Sequence, residues 1–133
     1  MQDLNITLVQ TDLFWEDKAQ NLDKLQQMLA TDPQPTDLIV LPEMFATGFS
    51  MQTDRIWSSI DGAEVQWMQQ LAQVHDCHVT GSLNIRENGQ FYNRLLLVNQ
   101  QGVVGQYNKR HLFGMAGEDA HYSAGNERFI GTI

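Results

Sequence analysis

At 133 residues the chain is the size of one domain, and 42% hydrophobic content against 18% charged excludes a disordered chain despite a formal net charge of −8. Sixteen Asp and Glu against eight Lys and Arg argue against nucleic acid or an anionic membrane as the main partner. The acidity does not identify a substrate.

The opening segment Met1-Gln-Asp-Leu-Asn-Ile has neither a basic start nor a long apolar core, so it does not read as a signal peptide. No stretch anywhere approaches the ~20 apolar residues of a membrane span, and a cytoplasmic location is the expectation. Leu4-Asn-Ile-Thr-Leu-Val9 is short, apolar and partly β-branched, which predicts a buried strand. From about Asp17 to Ala30, Leu22, Leu25, Met28 and Leu29 recur at helical spacing, with Asp17 as the cap and Pro33 and Pro35 as the stop. Asp37 to Leu41 is an uninterrupted apolar run after its first residue and predicts a strand covered on both faces.

A second helix is predicted from Ala63 to His75, with Val65, Met68, Leu71 and Ala72 on one face. It leads to a strand near His78 to Leu83. Cys77, the single cysteine, rules out an intrachain disulfide framework and reads as a small hydrophobe at that strand's start. A metal site at His75-Asp76-Cys77-His78 is not expected, because a helix-to-strand junction splays those side chains and no second cluster completes a tetrahedral set. Asn88-Gly89 then signals a tight hairpin into the run Phe91 to Val98, and Gln101-Gly102 turns that run into Val103 to Tyr107. His111 to Asn126, interrupted by Gly114, Gly117 and Gly125, reads as loop, and Arg128 to Ile133 as the opening of another strand. The order is β-α-β-loop-α-β followed by antiparallel strands, which predicts an α/β layer protein with a mixed sheet.

Three residues could carry chemistry. Glu43 follows a buried strand at the carboxyl end of the sheet, where open α/β sheets place their sites. Partial burial there would raise its pKa and make it a general base. The plain alternative is a solvated Glu in a strand-end loop. Lys109 ends the last hairpin strand, where its ammonium could face developing negative charge. The alternative is a lysine guarding a sheet edge against aggregation. Glu118, nine residues on, could pair with Lys109 and keep it protonated. No phosphate-binding loop is visible.

Together, Leu41-Pro42-Glu43-Met44-Phe45, Tyr107-Asn108-Lys109-Arg110-His111-Leu112-Phe113 and Tyr122-Ser123-Ala124-Gly125-Asn126 resemble the nitrilase (carbon–nitrogen hydrolase) superfamily, and the opening Ile6-Thr7-Leu8-Val9-Gln10 fits as well. Lys109 to Phe113 with Gly48-Phe49 looks most like the omega-amidases of the YafV type, which act on 2-oxo acid amides. The resemblance implies an α-β-β-α sandwich, of which this chain would be the N-terminal half, and no cofactor. It implies a Glu–Lys–Cys triad in which Glu43 is the general base, Lys109 the lysine and Glu118 the second glutamate, with Tyr107 and Phe113 positioning the lysine. In the family the nucleophile follows the strand after the Gly125 region, so the cysteine, its oxyanion-hole amide and much of the pocket are expected beyond residue 133, and Cys77 does not match it. The resemblance implies a small amide substrate, and homo-oligomers or association with the C-terminal half. The competing readings are a non-catalytic interaction module and a carbamoylase, nitrilase or amidase of another substrate class.

Overall fold

The structure, a computed structural model, describes residues 2–133. Five strands form one sheet in the order β1-β2-β3-β4-β5: Ile6–Leu8, Leu38–Val40, His78–Glu87, Gln90–Asn99 and Gly102–Asn108. β1 pairs with β2 and β2 with β3 in parallel, while β3-β4-β5 is an antiparallel meander. The sheet is therefore mixed, as the order of predicted elements requires. The parallel crossovers run through α1 (Lys18–Thr31) and α3 (Ala63–His75), with a one-turn α2 (Thr53–Ile56) between β2 and α3.

Each element follows from local sequence. The Asp17 carboxylate accepts the Gln20 backbone N–H at 3.0 Å and caps α1. α3 has the predicted bounds, buries Val65, Met68, Leu71 and Ala72, and ends on Asp76 in the left-handed region. Asn88 and Gly89 take φ of 50° and 74°, the two positive values that a tight hairpin turn needs.

Strand alternation sorts the sheet into two unlike faces. Ile39, Val79, Leu83, Ile85, Leu96 and Val98 pack against Leu25 and Leu29 of α1 and Val65, Met68, Leu71 and Ala72 of α3, forming the main core. The opposite face carries Ile6 and Leu8 of β1, Leu38 and Val40 of β2, and Leu95 of β4. Leu8 there is 74% exposed, and Ile6 and Leu95 are also exposed. Two expectations change accordingly. β1 is a three-residue edge strand and is not buried, and β2 is covered on one face only, since Leu38 and Val40 are half-buried. Both follow from the same cause, a sheet with helices on one side.

The last forty residues differ from expectation at two places. The stretch read as loop holds a 3₁₀ turn at Gly114–Ala116 and the one-turn helix α4 (Glu118–His121), segments too short for periodicity to reveal. Arg128 to Ile133 forms no strand. Instead this segment crosses the open face, where Phe129 lies so close over Gly105 that any side chain at that position would overlap its ring. No helix of the described residues is long and apolar enough to cross a membrane.

Candidate active site

Glu43 is placed by a pinned turn. Leu41 N–H donates to Thr80 O, which prolongs the β2–β3 pairing by one bond, and the chain then reverses at Met44. Met44 has φ of 48°, costly for a residue with a side chain, and its N–H is held by Ser82 Oγ at 2.9 Å. Phe45 is buried, and both Phe45 and Leu41 press on Gly81, where a Cβ would come within 3 Å of each. Glycine at 81 thus lets the turn lie flat on β3. Glu43 projects from its corner.

Lys109 follows β5, with its backbone N–H bonded to Asn93 O at 2.9 Å and its backbone O accepting Gly125 N–H at 3.0 Å. Its Nζ reaches Glu43 Oε1 at 2.9 Å and Glu118 Oε1 at 3.0 Å, and stands 5.2 Å from the centroid of Phe49. An aggregation-guarding lysine would point to solvent; this one points between two carboxylates. Glu118, in α4, is fully buried, and Phe113 N–H donates to its Oε1 at 2.6 Å. Asn93 of β4 donates from Nδ2 to Glu43 Oε1 at 2.8 Å and to Glu118 Oε2 at 3.0 Å. All three predicted residues meet on the open face of the sheet.

The electrostatics follow from these contacts. Burial acts to pull the Lys109 pKa down, but the hydrogen bonds and charges of Glu43 and Glu118 outweigh it and hold the pKa above its ordinary value. Burial likewise acts to raise the Glu118 pKa, and the Phe113 amide, the Asn93 amide and Lys109 together bring it below the usual carboxylate value. The burial expected at Glu43 is not provided, because its side chain is 51% exposed on the rim of a depression of about 250 Å³. Leu41, Ser82, Asn93, Leu95, Tyr107 and Lys109 line the rest of it. A larger cavity of about 370 Å³ lies between α1 and α3 around Trp67 and Val74, far from any of these polar groups.

Several residues of the cluster escape sequence reasoning. Asn93 is one, although the Asn93-Arg94 pair is the only polar interruption of Phe91 to Val98, and strand parity puts Asn93 on the open face beside Leu95. Ser82 is another, and Tyr122, which opens one of the family-like phrases, has no role assigned by it. Tyr122 is buried, donates to Ser50 O at 2.7 Å, and packs with Met44 and Ile56 beneath the site. Tyr107 and Phe113 do not position the lysine directly: the Tyr107 hydroxyl accepts Arg110 N–H at 3.3 Å, and Phe113 acts through its amide on Glu118.

Cys77 is elsewhere. It precedes β3, at the opposite end of the strands from Glu43, which follows β2. Burial first, then the charges of Asp76 and Asp37, push its thiol up to about 11. Among the described residues, no group of three His, Cys, Asp or Glu is arranged to hold a metal ion.

This architecture has known counterparts. The chain is 42% identical to omega-amidase YafV of Escherichia coli (strain K12) over 130 residues, covering 98% of this chain and 50% of that protein. It is 30% identical to 2-oxoglutaramate amidase of Bacillus subtilis (strain 168), covering 92% of this chain and 48% of that protein. XC1258 from Xanthomonas campestris, a CN-hydrolase superfamily protein solved with an arsenic adduct in its active site, superposes with a TM-score of 0.90 at 38% identity, over 97% of this chain and 49% of that one. The chain thus spans about half the length of the relatives it matches. The carbon-nitrogen hydrolase family profile matches residues 5–130, nearly the whole chain, and the protein belongs to that family.

Proposed function

We propose that these residues form the acid–base half of an amidase site, in a protein that hydrolyses 2-oxo acid amides such as 2-oxoglutaramate through a Glu–Lys–Cys triad. The observation that carries the reading is Lys109 held between Glu43 and Glu118 on the open sheet face, with Glu43 at the rim of a depression. The names of the two amidase relatives support the choice of substrate.

Each group has a task that amide hydrolysis needs. A thiol of the complete protein gives its proton to Glu43 as the sulfur attacks the amide carbonyl. The Lys109 ammonium faces the oxyanion of the tetrahedral intermediate, and its raised pKa keeps it charged there. Glu43 hands the proton to the departing ammonia, leaving a thioester, then takes a proton from the water that hydrolyses it. Glu118 keeps the lysine in place. Cys77 is unsuited to the nucleophile's role, being at the opposite end of the strands from Glu43 and almost fully protonated near neutral pH with a thiol at about 11. The nucleophile is therefore proposed to lie outside these 133 residues.

Ammonia release from 2-oxoglutaramate by the complete protein tests the reading. Glu43→Gln and Lys109→Met are each expected to lower kcat by ~100- to 1,000-fold while leaving the fold intact, the usual loss for one group acting on the transition state. Near-normal turnover in either variant would defeat the assignment. Hydrolysis of other amides but not of 2-oxo acid amides would leave an amidase and remove the omega-amidase.

A further inference from the structure

The two carboxylates that flank Lys109 have four oxygens between them, and three of these are engaged. Glu118 Oε1 accepts from Phe113 N–H and faces Lys109, Glu118 Oε2 accepts from Asn93, and Glu43 Oε1 accepts from both Lys109 and Asn93. Among the described residues, Glu43 Oε2 accepts nothing. Asn93 is 2% exposed, and both hydrogens of its single amide group are directed at the two carboxylates. Only the NH₂ end of an amide can face two carboxylate acceptors, so its orientation is fixed. The same residue's backbone oxygen holds the Lys109 amide. One residue of β4 thereby ties the loop after β2, the end of β5 and α4 to a common point.

We propose that Asn93 is the positioning residue of this site, its amide fixing both carboxylates around Lys109 and occupying Glu43 Oε1, so that Glu43 Oε2 is the oxygen that exchanges protons with thiol, ammonia and water. The inference rests on the reading of Glu43 as general base. Its physical content is directional. A carboxylate with one oxygen held by two donors cannot rotate, and its second oxygen keeps a constant aim across the depression. The titratable groups near the amide are Glu43, Lys109, Glu118 and, behind them, Tyr122, whose hydroxyl is pushed up by burial and by the two glutamates.

The test uses the complete protein and three variants, with kcat and KM for 2-oxoglutaramate measured across the acid limb of the pH profile. Asn93→Asp preserves shape but replaces the double donor with a third acid. It is expected to lower kcat ~100-fold, the loss that a displacement of about 1 Å commonly brings, with KM little changed. The acid limb should move to higher pH, because a lost donor and an added negative charge both make a neighbouring carboxylate harder to ionise. Asn93→Ser retains one donor and should fall between the two in both respects. Should Asn93→Asp not fold, Asn93→Ser is read by the same two quantities. A purely structural asparagine would lower stability without moving the acid limb, and an unmoved limb with kcat within about twofold of wild type would overturn the proposal. Glu43→Gln separates the two claims. If it is inactive while Asn93→Asp behaves as wild type, only the positioning role falls; if it is fully active, the base assignment falls.

Discussion

Glu118 is a fully buried acid whose pKa nevertheless lies below its ordinary 4.5, and the sign of its effect on stability follows directly. A depressed carboxyl contributes stability that is present above the unfolded value and lost as pH falls through the folded one. Lys109 is the mirror case: its raised pKa contributes stability that is complete below the ordinary 10.5 and lost as pH rises through the folded value. The complete protein should therefore lose part of its stability at pH below the carboxylate range and another part at strongly alkaline pH. Glu118→Gln should flatten the acid side and cost about 1–3 kcal/mol near neutrality by weakening a buried hydrogen-bonded group. Urea midpoints of both proteins against pH check this, and parallel curves would contradict it. Cys77 behaves in the opposite way, as a packed thiol. Cys77→Ala should retain turnover at a cost of about 1 kcal/mol, and iodoacetamide near neutral pH should label the native protein far more slowly than the urea-unfolded one. At this scale the sequence was informative where a residue sits in a recognisable phrase, as Glu43 and Lys109 do, and less so for Glu118, which lies between two such phrases. It was uninformative for Asn93, whose importance comes from three separate segments meeting at its amide, a property of no local stretch.

Among the elements, α1, α3 and the β3-β4 hairpin were legible because each carries its own determinants: an Asp17 cap, an apolar stripe, an Asn-Gly turn. α2 and α4 were not, since a single turn is shorter than the period that would betray it. The burial of β1 and β2 was misjudged for a related reason. An apolar strand shows that it can be covered on both faces, and not which segment does the covering. The hairpin offers a clean measurement. Gly89 has φ of 74°, yet a Cβ there would meet nothing within 4 Å, so Gly89→Ala is a purely conformational change. It should cost about 1–2 kcal/mol, the penalty of a side chain in the left-handed region. Equilibrium unfolding of the complete protein gives the value, and a neutral result would mean that the turn relaxes to another type.

For the whole chain, the open face decides behaviour in solution. Ile6, Leu8 and Leu95 are exposed on it beside half-buried Leu38 and Val40, although the segment around Phe129 lies over Gly105 and Leu97. These 133 residues by themselves should associate, because contiguous bare apolar surface and an unpaired edge at β1 both drive contact between copies. Light scattering should show a dimer or larger species, and ammonia release from 2-oxoglutaramate should stay at background. A compact monomer with turnover would contradict both the surface argument and the proposed division of the triad. The sheet also changes character at β3, parallel on one side and antiparallel on the other, and that seam has a kinetic meaning. The meander from β3 to β5 closes through short turns, whereas β2 and β1 join only after crossovers through α1 and α3, and loop closure of that length is slow. Asn93 and Lys109 belong to the early side of the seam, and Glu118 reaches them from just beyond it. Glu43 arrives with the late side. Docking of Glu43 is then expected late in folding, and substitutions that loosen it should speed unfolding more than they slow folding, which stopped-flow rates of the complete protein would check.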